Sequence, residues 1–306
     1  MKVLFLVNPS AGGRGAAGSV DTASRVFRNA GWEVSSVRAQ STEQAADLIE
    51  SALEKGFDLL VLGGGDGTIH HCVQHLPLGS RENPSPLPFG IIPLGSGNDF
   101  FRGTGAPMDP EGAAQNIVKG APRPIDIGLV EPINDDGSPR EGAPVRFANT
   151  AGVGMDSQVL AARERAPRWM SARYELIFLL TLAGLYHLKV DLSGNDWRRE
   201  LDAYWVLCCN NGFIGTGMHV APDAKIDDGL FDVLIIEKQS KLRFMFNLPR
   251  VFKGTHLEMD RVHLLRTRSL ILKCAPKQRI AVDGDRSFES PAKITILPGA
   301  VTLRTM

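Results

Sequence analysis

Charge of one sign is missing from this sequence. Lys and Arg together number 34 and Asp and Glu also number 34, so the formal net charge is zero. Without a basic surplus, nucleic acid is disfavoured as the main partner. Cysteine is scarce as well: Cys72, Cys208, Cys209 and Cys274 show no CxxC spacing. Cys208 and Cys209 are adjacent inside an apolar run and read as buried thiols of a reducing compartment. A spanning segment is also lacking. Leu176–Leu188 is mostly apolar, but it falls short of the ~20 residues a membrane-crossing helix needs, and Arg173, Glu175 and Lys189 flank it. It reads as a core helix, with a helix lining a lipid pocket as the sharper alternative. Met1–Val7 is too short for the apolar part of a secretory signal. There is no internal repeat and no low-complexity tract.

What is present is an alternation of strands and helices, then a change of pattern. Apolar residues make up 43% of the 306 positions, which suits a globular chain long enough for two domains. Lys2–Val7, Trp32–Val37, Asp58–Leu62 and Phe89–Ile92 read as strands. Val20–Ala30 and Thr42–Lys55 carry apolar residues at helical spacing. Strands alternating with helices imply a wound parallel sheet. From Pro122–Ile127 onward the signals become short strands: Phe147–Thr150, Tyr204–Cys209, Leu230–Ile236, Leu270–Lys273, Arg279–Val282 and Lys293–Ile296. Turn residues separate them, and helical stretches interrupt around Ser157–Arg165, Arg173–His187 and Leu242–Lys253. The expected fold is an α/β domain over residues 1–125 followed by a second, largely antiparallel β-rich domain over 126–296.

Three glycine-rich segments follow strands of the first domain. NPSAGG begins at Asn8, GGGDGT spans Gly63–Thr68 and PLGSGNDF spans Pro93–Phe100. In a parallel sheet, loops that follow strands gather at its carboxyl edge, where open α/β sheets bind ligands. Glycine lets backbone N–H groups approach a phosphate, and a helix N-terminus favours negative charge. Asp66 sits awkwardly in such a cradle unless a divalent cation or a hydroxyl lies between carboxylate and phosphate. The plain alternative is a βα turn with Asp66 as a helix cap. His70, His71 and His75 crowd one helix turn, but His70 and His71 point ~100° apart, which argues against a zinc site. His219, His256 and His263 have no ligand spacing and read as surface or loop residues. Arg163, Arg165, Arg168 and Arg173, with Trp169 and Met170 among them, read as a solvated helix face, with anionic lipid headgroups as the alternative contact.

Further motifs join these in order: AGVGMD at 151–156, NNGFIGTGMHVAPDAKIDDGLFDV at 210–233 and VDGD at 282–285. Together, over nearly the whole chain, they resemble the diacylglycerol kinase catalytic-domain family, which includes sphingosine and ceramide kinases and stand-alone bacterial lipid kinases. The resemblance implies a lipid kinase that uses ATP and Mg²⁺, with ATP on the first domain, a second domain built as a β-sandwich with a lipid pocket beside the interdomain cleft, and residues 297–306 returning to the first domain. By position it assigns nucleotide contact to Asn8, Pro9, Ser10, Ala11 and Gly12, to Gly64, Gly65, Asp66, Gly67, Thr68, Ile69 and His70, and to Ser96 in place of the family's usual Thr. Another family Thr aligns near Ala39, so the hydroxyl it would supply is either missing from this chain or provided by Ser41 or Thr42. A structural Mg²⁺ is implied at the DDG turn, with the Asp228 carboxylate and the carbonyls of Lys225 and Leu230 as ligands. The catalytic base falls at Asp285, where relatives carry Glu; Asp66 is the rival for that role, and Asp283 reads as a turn-stabilising residue. His71 stands where relatives place an acid.

The implied partner is a hydroxylated lipid such as diacylglycerol, reached by a cytoplasmic protein making peripheral contact with the inner leaflet; a homodimer is left open. Two competing readings are an NAD-kinase-like small-molecule kinase, which would share the GGDG signature, and a catalytically weak lipid-binding protein of the same fold.

Overall fold

The computed structural model describes residues 1–8, 16–167 and 174–306. In the first domain, β1 (Lys2–Val7), β2 (Glu33–Arg38), β3 (Leu59–Gly64) and β4 (Phe89–Pro93) form a parallel sheet in the order β2-β1-β3-β4. β1, β3 and β4 are buried along their whole length apart from Lys2, as expected of strands covered on both faces. Helices α1 (Ala16–Asn29), α2 (Thr42–Glu50), α3 (Asp66–His75), α4 (Asp99–Gly103) and α5 (Pro110–Lys119) connect or flank them. Because β2 lies on one side of β1 and β3 on the other, the winding reverses between β1 and β3. That switch point opens a crevice at the carboxyl ends of the strands. Helix α2 stops at Glu50, short of the Lys55 that its apolar spacing suggests; the Ser51 hydroxyl bonds back to the Asp47 carbonyl and competes with the helix.

The second domain is a sandwich. β5 (Ala121–Pro132), β6 (Val145–Phe147), β7 (Thr150–Gly154), β8 (Leu188–Ser193), β9 (Arg198–Cys209), β12 (Phe231–Glu237), β13 (Val262–Thr267), β14 (Ser269–Ala275), β15 (Arg279–Val282), β16 (Asp285–Glu289) and β17 (Ala292–Thr305) pair antiparallel, and β10 (Phe213–Ile214) and β11 (Met218–His219) make a small separate hairpin. Long β9 serves both layers: Arg198–Ala203 pairs with β8, while Trp205–Cys209 pairs with β7 and β12. Val206 and Cys208 point into the core between the layers, with Val153, Val233, Leu192, Leu272 and Ile294. Trp205, Leu207 and Cys209 point the other way, under helices. Both faces of this half-strand are therefore buried, which explains its unbroken apolar run. It also sends the adjacent thiols to opposite sides, and all four cysteines are free and buried.

Three helices cover that outer face: α6 (Met155–Arg165), α7 (Tyr174–Gly184) and α8 (Lys241–Phe252). The core-helix reading of Leu176–Leu188 holds for one side only. Ile177, Leu182 and Leu185 are buried, whereas Leu176, Leu179 and Leu180 are exposed. The single strand expected at Phe147–Thr150 is two strands, separated at Ala148 and Asn149 by a carboxylate that takes their amide N–H groups.

The domains share one ribbon. β5 and β17 pair antiparallel along almost their full length, and Leu303 near the end of β17 also pairs parallel with Phe89 of β4. The register breaks between Leu297 and Val301, opposite Asp126. Asp126 is fully buried there. Its carboxylate accepts the Gly299 N–H (2.8 Å) from the bulge and the Gly229 N–H (2.6 Å) from the DDG turn. Arg81 of the first domain closes the cluster at 3.3 Å. Replacing Asp126 by Ala leaves the buried Gly299 and Gly229 N–H groups without their acceptor, at about 1–3 kcal/mol for each, while the half-exposed Arg81 can turn to water. Urea denaturation of Asp126→Ala is expected to show that loss; an unchanged midpoint would contradict the assigned role.

Candidate active site

The loop after β1 starts with Asn8, whose amide donates to the Thr68 hydroxyl at 2.8 Å and whose backbone N–H bonds Gly63 O at 3.0 Å. The β1 loop and the start of α3 are thus joined across the switch point. Pro9, Ser10, Ala11 and Gly12 lie outside the described residues, as do Arg168, Trp169, Met170 and Arg173.

The glycines of GGGDG do different jobs. A Cβ on Gly65 would lie 2.8 Å from the Cα of Gly95, so the GGGDG and PLGSGND loops meet backbone to backbone. Gly67, in the first turn of α3, faces open space, with nothing within 4 Å of where its Cβ would sit. It lines a cavity of about 230 Å³ with Val7, Asn8, Ala39, Thr42, Thr68 and His71. Ala39, Ser41 and Thr42 all border this cavity, but the Ser41 hydroxyl is engaged in capping α2. His71 spans from α3 to the Thr42 carbonyl at 2.8 Å. Ile69 is buried in the first-domain core, and Ser96 is exposed on the third glycine loop.

Asp66 stands where the two domains face each other. One carboxylate oxygen accepts the Phe100 N–H at 3.0 Å and lies 3.5 Å from the Asn149 amide nitrogen. Its other oxygen lies against Gly97, 3.0 Å from a Cβ built there. Asn149, at the start of the second domain, accepts from the Asn211 amide at 3.1 Å, and Asn211 donates back to Phe100 O at 3.0 Å. Asp99 is buried beside them. One oxygen takes the Thr216 N–H at 2.8 Å; the other is buried without a hydrogen-bond partner. Burial, with the nearby Asp66 charge adding to it, raises the Asp99 pKa.

The VDGD segment forms the opposite wall. Asp283 and Gly284 both have positive φ (48° and 90°), as a two-residue hairpin turn of type I′ between β15 and β16 requires. The Asp283 carboxylate accepts the backbone N–H groups of Ala148, Asn149 and Thr150 at 2.8, 2.9 and 3.0 Å. Asp283 therefore holds Asn149 in place and has little capacity left for chemistry. Asp285 opens β16 and is exposed. His70 of α3 reaches over from the first domain, with Nδ1 3.4 Å from Asp283. Burial works against the charged imidazole, but Asp283 and then Asp285 outweigh it and hold the His70 pKa above its ordinary value. Asp66, Asn149, Asp283 and His70 thus make one chain of polar groups across the cleft, and the charge of Asp285 acts on His70 from beside it. Asp99, Asn149 and Asn211 were not singled out by sequence reasoning, although Asp99 and Asn211 stand inside motifs it quoted.

At the DDG turn, Lys225, Asp228 and Leu230 lie beside Arg266. Asp228 accepts the Leu230 N–H at 3.0 Å and pairs through its other oxygen with the Arg266 guanidinium, which also lies 3.4 Å from Asp232. Both Asp228 oxygens are engaged and the Arg266 guanidinium supplies positive charge, while the neighbouring Asp232 keeps one oxygen buried without a partner, with Asp223 and Asp228 adding negative charge around it. In the cleft, Asp99 also keeps one buried oxygen without a partner, and the Asp66 charge is near enough to act on its carboxyl. Among the described residues, no group of three or more His, Cys, Asp or Glu side chains makes a self-sufficient metal centre. A cation between Asp66 and Asp99 would take its remaining ligands from phosphates and water, the usual habit of Mg²⁺. His256, read as a surface residue, is instead buried, with Nε2 3.0 Å from the Val220 carbonyl.

With this geometry, comparison with known proteins is informative. Residues 2–130 match the diacylglycerol kinase catalytic domain, and residues 149–305 match the YegS C-terminal NAD kinase beta sandwich-like domain. A diacylglycerol kinase of Mycobacterium tuberculosis (strain CDC 1551 / Oshkosh) is 30% identical over 98% of this chain and 94% of its own length. The chain belongs to the diacylglycerol kinase catalytic-domain family. A diacylglycerol kinase of Bacillus subtilis (strain 168) is 27% identical over 89% of this chain and 85% of its own. Two solved structures from Bacillus anthracis str. Sterne share the fold over the whole chain. One has a TM-score of 0.79 at 23% identity and 95% coverage of that chain; the other, a diacylglycerol kinase, has 0.72 at 20% and 97%. Family membership makes this protein a lipid kinase by class.

The charged His70 contributes stability that is complete below its unfolded pKa of ~6.5 and is lost as pH rises through the higher folded value. NMR titration of the His70 ring should give a midpoint above that of a free histidine, and Asp285→Asn should lower it. A midpoint indifferent to Asp285→Asn would remove Asp285 from the cleft.

Proposed function

We propose that this chain transfers the γ-phosphate of ATP, with Mg²⁺, to the hydroxyl of a membrane lipid such as diacylglycerol. The observation that carries this reading is the run of polar contacts from Asp66 through Asn149 and Asp283 to His70, across a cleft bordered by the GGGDG and PLGSGND loops, with the exposed Asp285 two residues beyond Asp283. The names of the relatives over nearly the full chain support the lipid as acceptor.

Phosphoryl transfer asks the protein chiefly for positioning and charge compensation. The open face at Gly67, next to the amide-bearing first turn of α3, offers room and N–H donors for a phosphate, with Thr68 and Asn8 fixing that edge. Asp66 is held by the Phe100 N–H, and Asp99 adds a second carboxylate nearby with one buried oxygen still without a partner. These two would hold Mg²⁺, which when bound neutralises charge on the phosphate oxygens. Asp283, committed to three backbone N–H groups, positions Asn149 and the turn. Asp285, exposed at the cleft edge, accepts the proton of the lipid hydroxyl as its oxygen bonds the γ-phosphorus and the bond to the departing ADP breaks. Being shorter than Glu, Asp285 needs a close approach of the hydroxyl or one bridging water.

No helix among the described residues is long and apolar enough to cross a membrane. In this reading a cytoplasmic protein meets the acceptor by peripheral contact with the inner leaflet.

Phosphate transfer to diacylglycerol in mixed micelles tests these roles. Asp285→Asn is expected to lower kcat by about 10²-fold or more at saturating Mg²⁺, whereas Asp66→Asn is expected to raise the Mg²⁺ concentration required. Gly67→Ala should raise KM for ATP with little loss of stability, since Ala costs a helix less than Gly by up to ~1 kcal/mol. Full activity of Asp285→Asn would move the base role away from that residue.

A further inference from the structure

Two neighbouring helices of the second domain bear apolar side chains on both faces. α8, Lys241–Phe252, buries Phe244, Leu248 and Val251. Its other side exposes Leu242 (69%), Met245, Phe246 (82%) and Phe252. These positions recur at three- and four-residue steps, and Pro249 falls in the same stripe, so they line one side of the helix. α7, Tyr174–Gly184, does the same. Ile177 and Leu182 face inward, and Leu176, Leu179 (58%) and Leu180 (56%) face solvent. The helices are neighbours: their inner residues Leu182, Phe244, Leu248 and Val251 belong to one cluster around Tyr204 and Trp205, and the Lys241 ammonium reaches the Ala183 carbonyl at 3.3 Å. Isolated exposed apolar residues need no explanation, but a stripe on each of two adjacent helices does.

The charge on α8 identifies the partner. The helix and its flank carry Lys241, Arg243, Arg250 and Lys253 and no acid between Lys241 and Lys253; among the described residues, their one ion pair is Arg243 with Asp260, at 3.1 Å. Apolar residues on one side with cations beside them is the arrangement of a helix lying in an anionic lipid surface: the side chains enter the acyl boundary and the cations meet headgroups. We propose that the outer faces of α7 and α8 form a bilayer-docking surface selective for anionic lipid. This deepens the lipid-kinase reading and rests on it for its purpose, not for its measurement. Docking by this face sets the sandwich on the membrane that holds the acceptor.

The test is sedimentation of the full chain with vesicles of phosphatidylcholine, with and without phosphatidylglycerol. The wild type is expected to bind the mixed vesicles more strongly. Leu242→Asp with Phe246→Asp should cut binding by roughly tenfold or more, because each side chain loses the favourable transfer of its apolar area. Arg250→Gln with Lys253→Gln should abolish the preference for phosphatidylglycerol while sparing the fold, checked by thermal denaturation. Unchanged vesicle binding in both double variants would overturn the proposal. So would a concentration-dependent dimer abolished by Phe246→Asp without loss of vesicle binding, since the stripe would then meet a second copy. Turnover of a short-chain, water-dispersed diacylglycerol separates this from the activity itself. If the Asp variant keeps that turnover but loses turnover of vesicle-embedded lipid, the surface serves docking. If no variant, wild type included, phosphorylates either substrate, the activity reading fails and the binding result still decides the surface.

Discussion

Asp126 sits where two sheets become one, and the rest of the molecule is arranged around that junction. The β5–β17 ribbon must leave the sandwich and run beside β4, and it does so through a register break at Leu297–Val301. A break of that kind frees backbone N–H groups in a buried place, and buried donors need acceptors. The carboxylate supplies them to Gly299 and to Gly229, while the Asp126 N–H bonds Ile226 O at 2.6 Å and Arg81 anchors the cluster to the first domain. Bulge, DDG turn and first-domain loop are tied to one side chain.

The cleft shows how one chemistry, the carboxylate, is given different work by its surroundings. Asp126 and Asp283 are saturated by backbone N–H groups and act as structural acceptors. Asp66 is half-engaged, which fixes its direction while leaving an oxygen toward the cleft. Asp99 keeps a buried oxygen without a partner, and Asp285 is exposed. Counting N–H partners separates the acids that shape the site from those that face a substrate. No sequence motif makes that distinction, because DGD at 283–285 writes both kinds with the same letter.

Much of the first domain was legible because three of its strands are buried on both faces and are followed by glycine-rich segments. β1, β3 and β4 are apolar runs punctuated by loops, and their order implies the parallel sheet. The second domain was harder. β16, Asp285–Glu289, is a polar edge strand and gives no apolar alternation to read. β8, Leu188–Ser193, does alternate apolar and polar residues, but its first leucine closes the apolar stretch Leu176–Leu188 and is read with the helix before it. The exposed stripes on α7 and α8 were hidden by the assumption that leucine and phenylalanine at helical spacing face a core; two faces of one helix carried them. The reason for the glycines was only partly readable: Gly65 meets another backbone, whereas Gly67 meets open space, and that difference depends on a loop about thirty residues away in sequence. Asn149 and Asn211 gain their importance only when Asp283 brings the sandwich against α4.

Everything proposed for the cleft requires that it pass phosphate to a lipid hydroxyl. The most direct measurement incubates the full chain with γ-labelled ATP, Mg²⁺, diacylglycerol in mixed micelles and, separately, NAD, and follows where the label partitions. The expected result is label in the organic phase as phosphorylated diacylglycerol and none transferred to NAD. Label transferred to NAD but absent from the lipid fraction would contradict it.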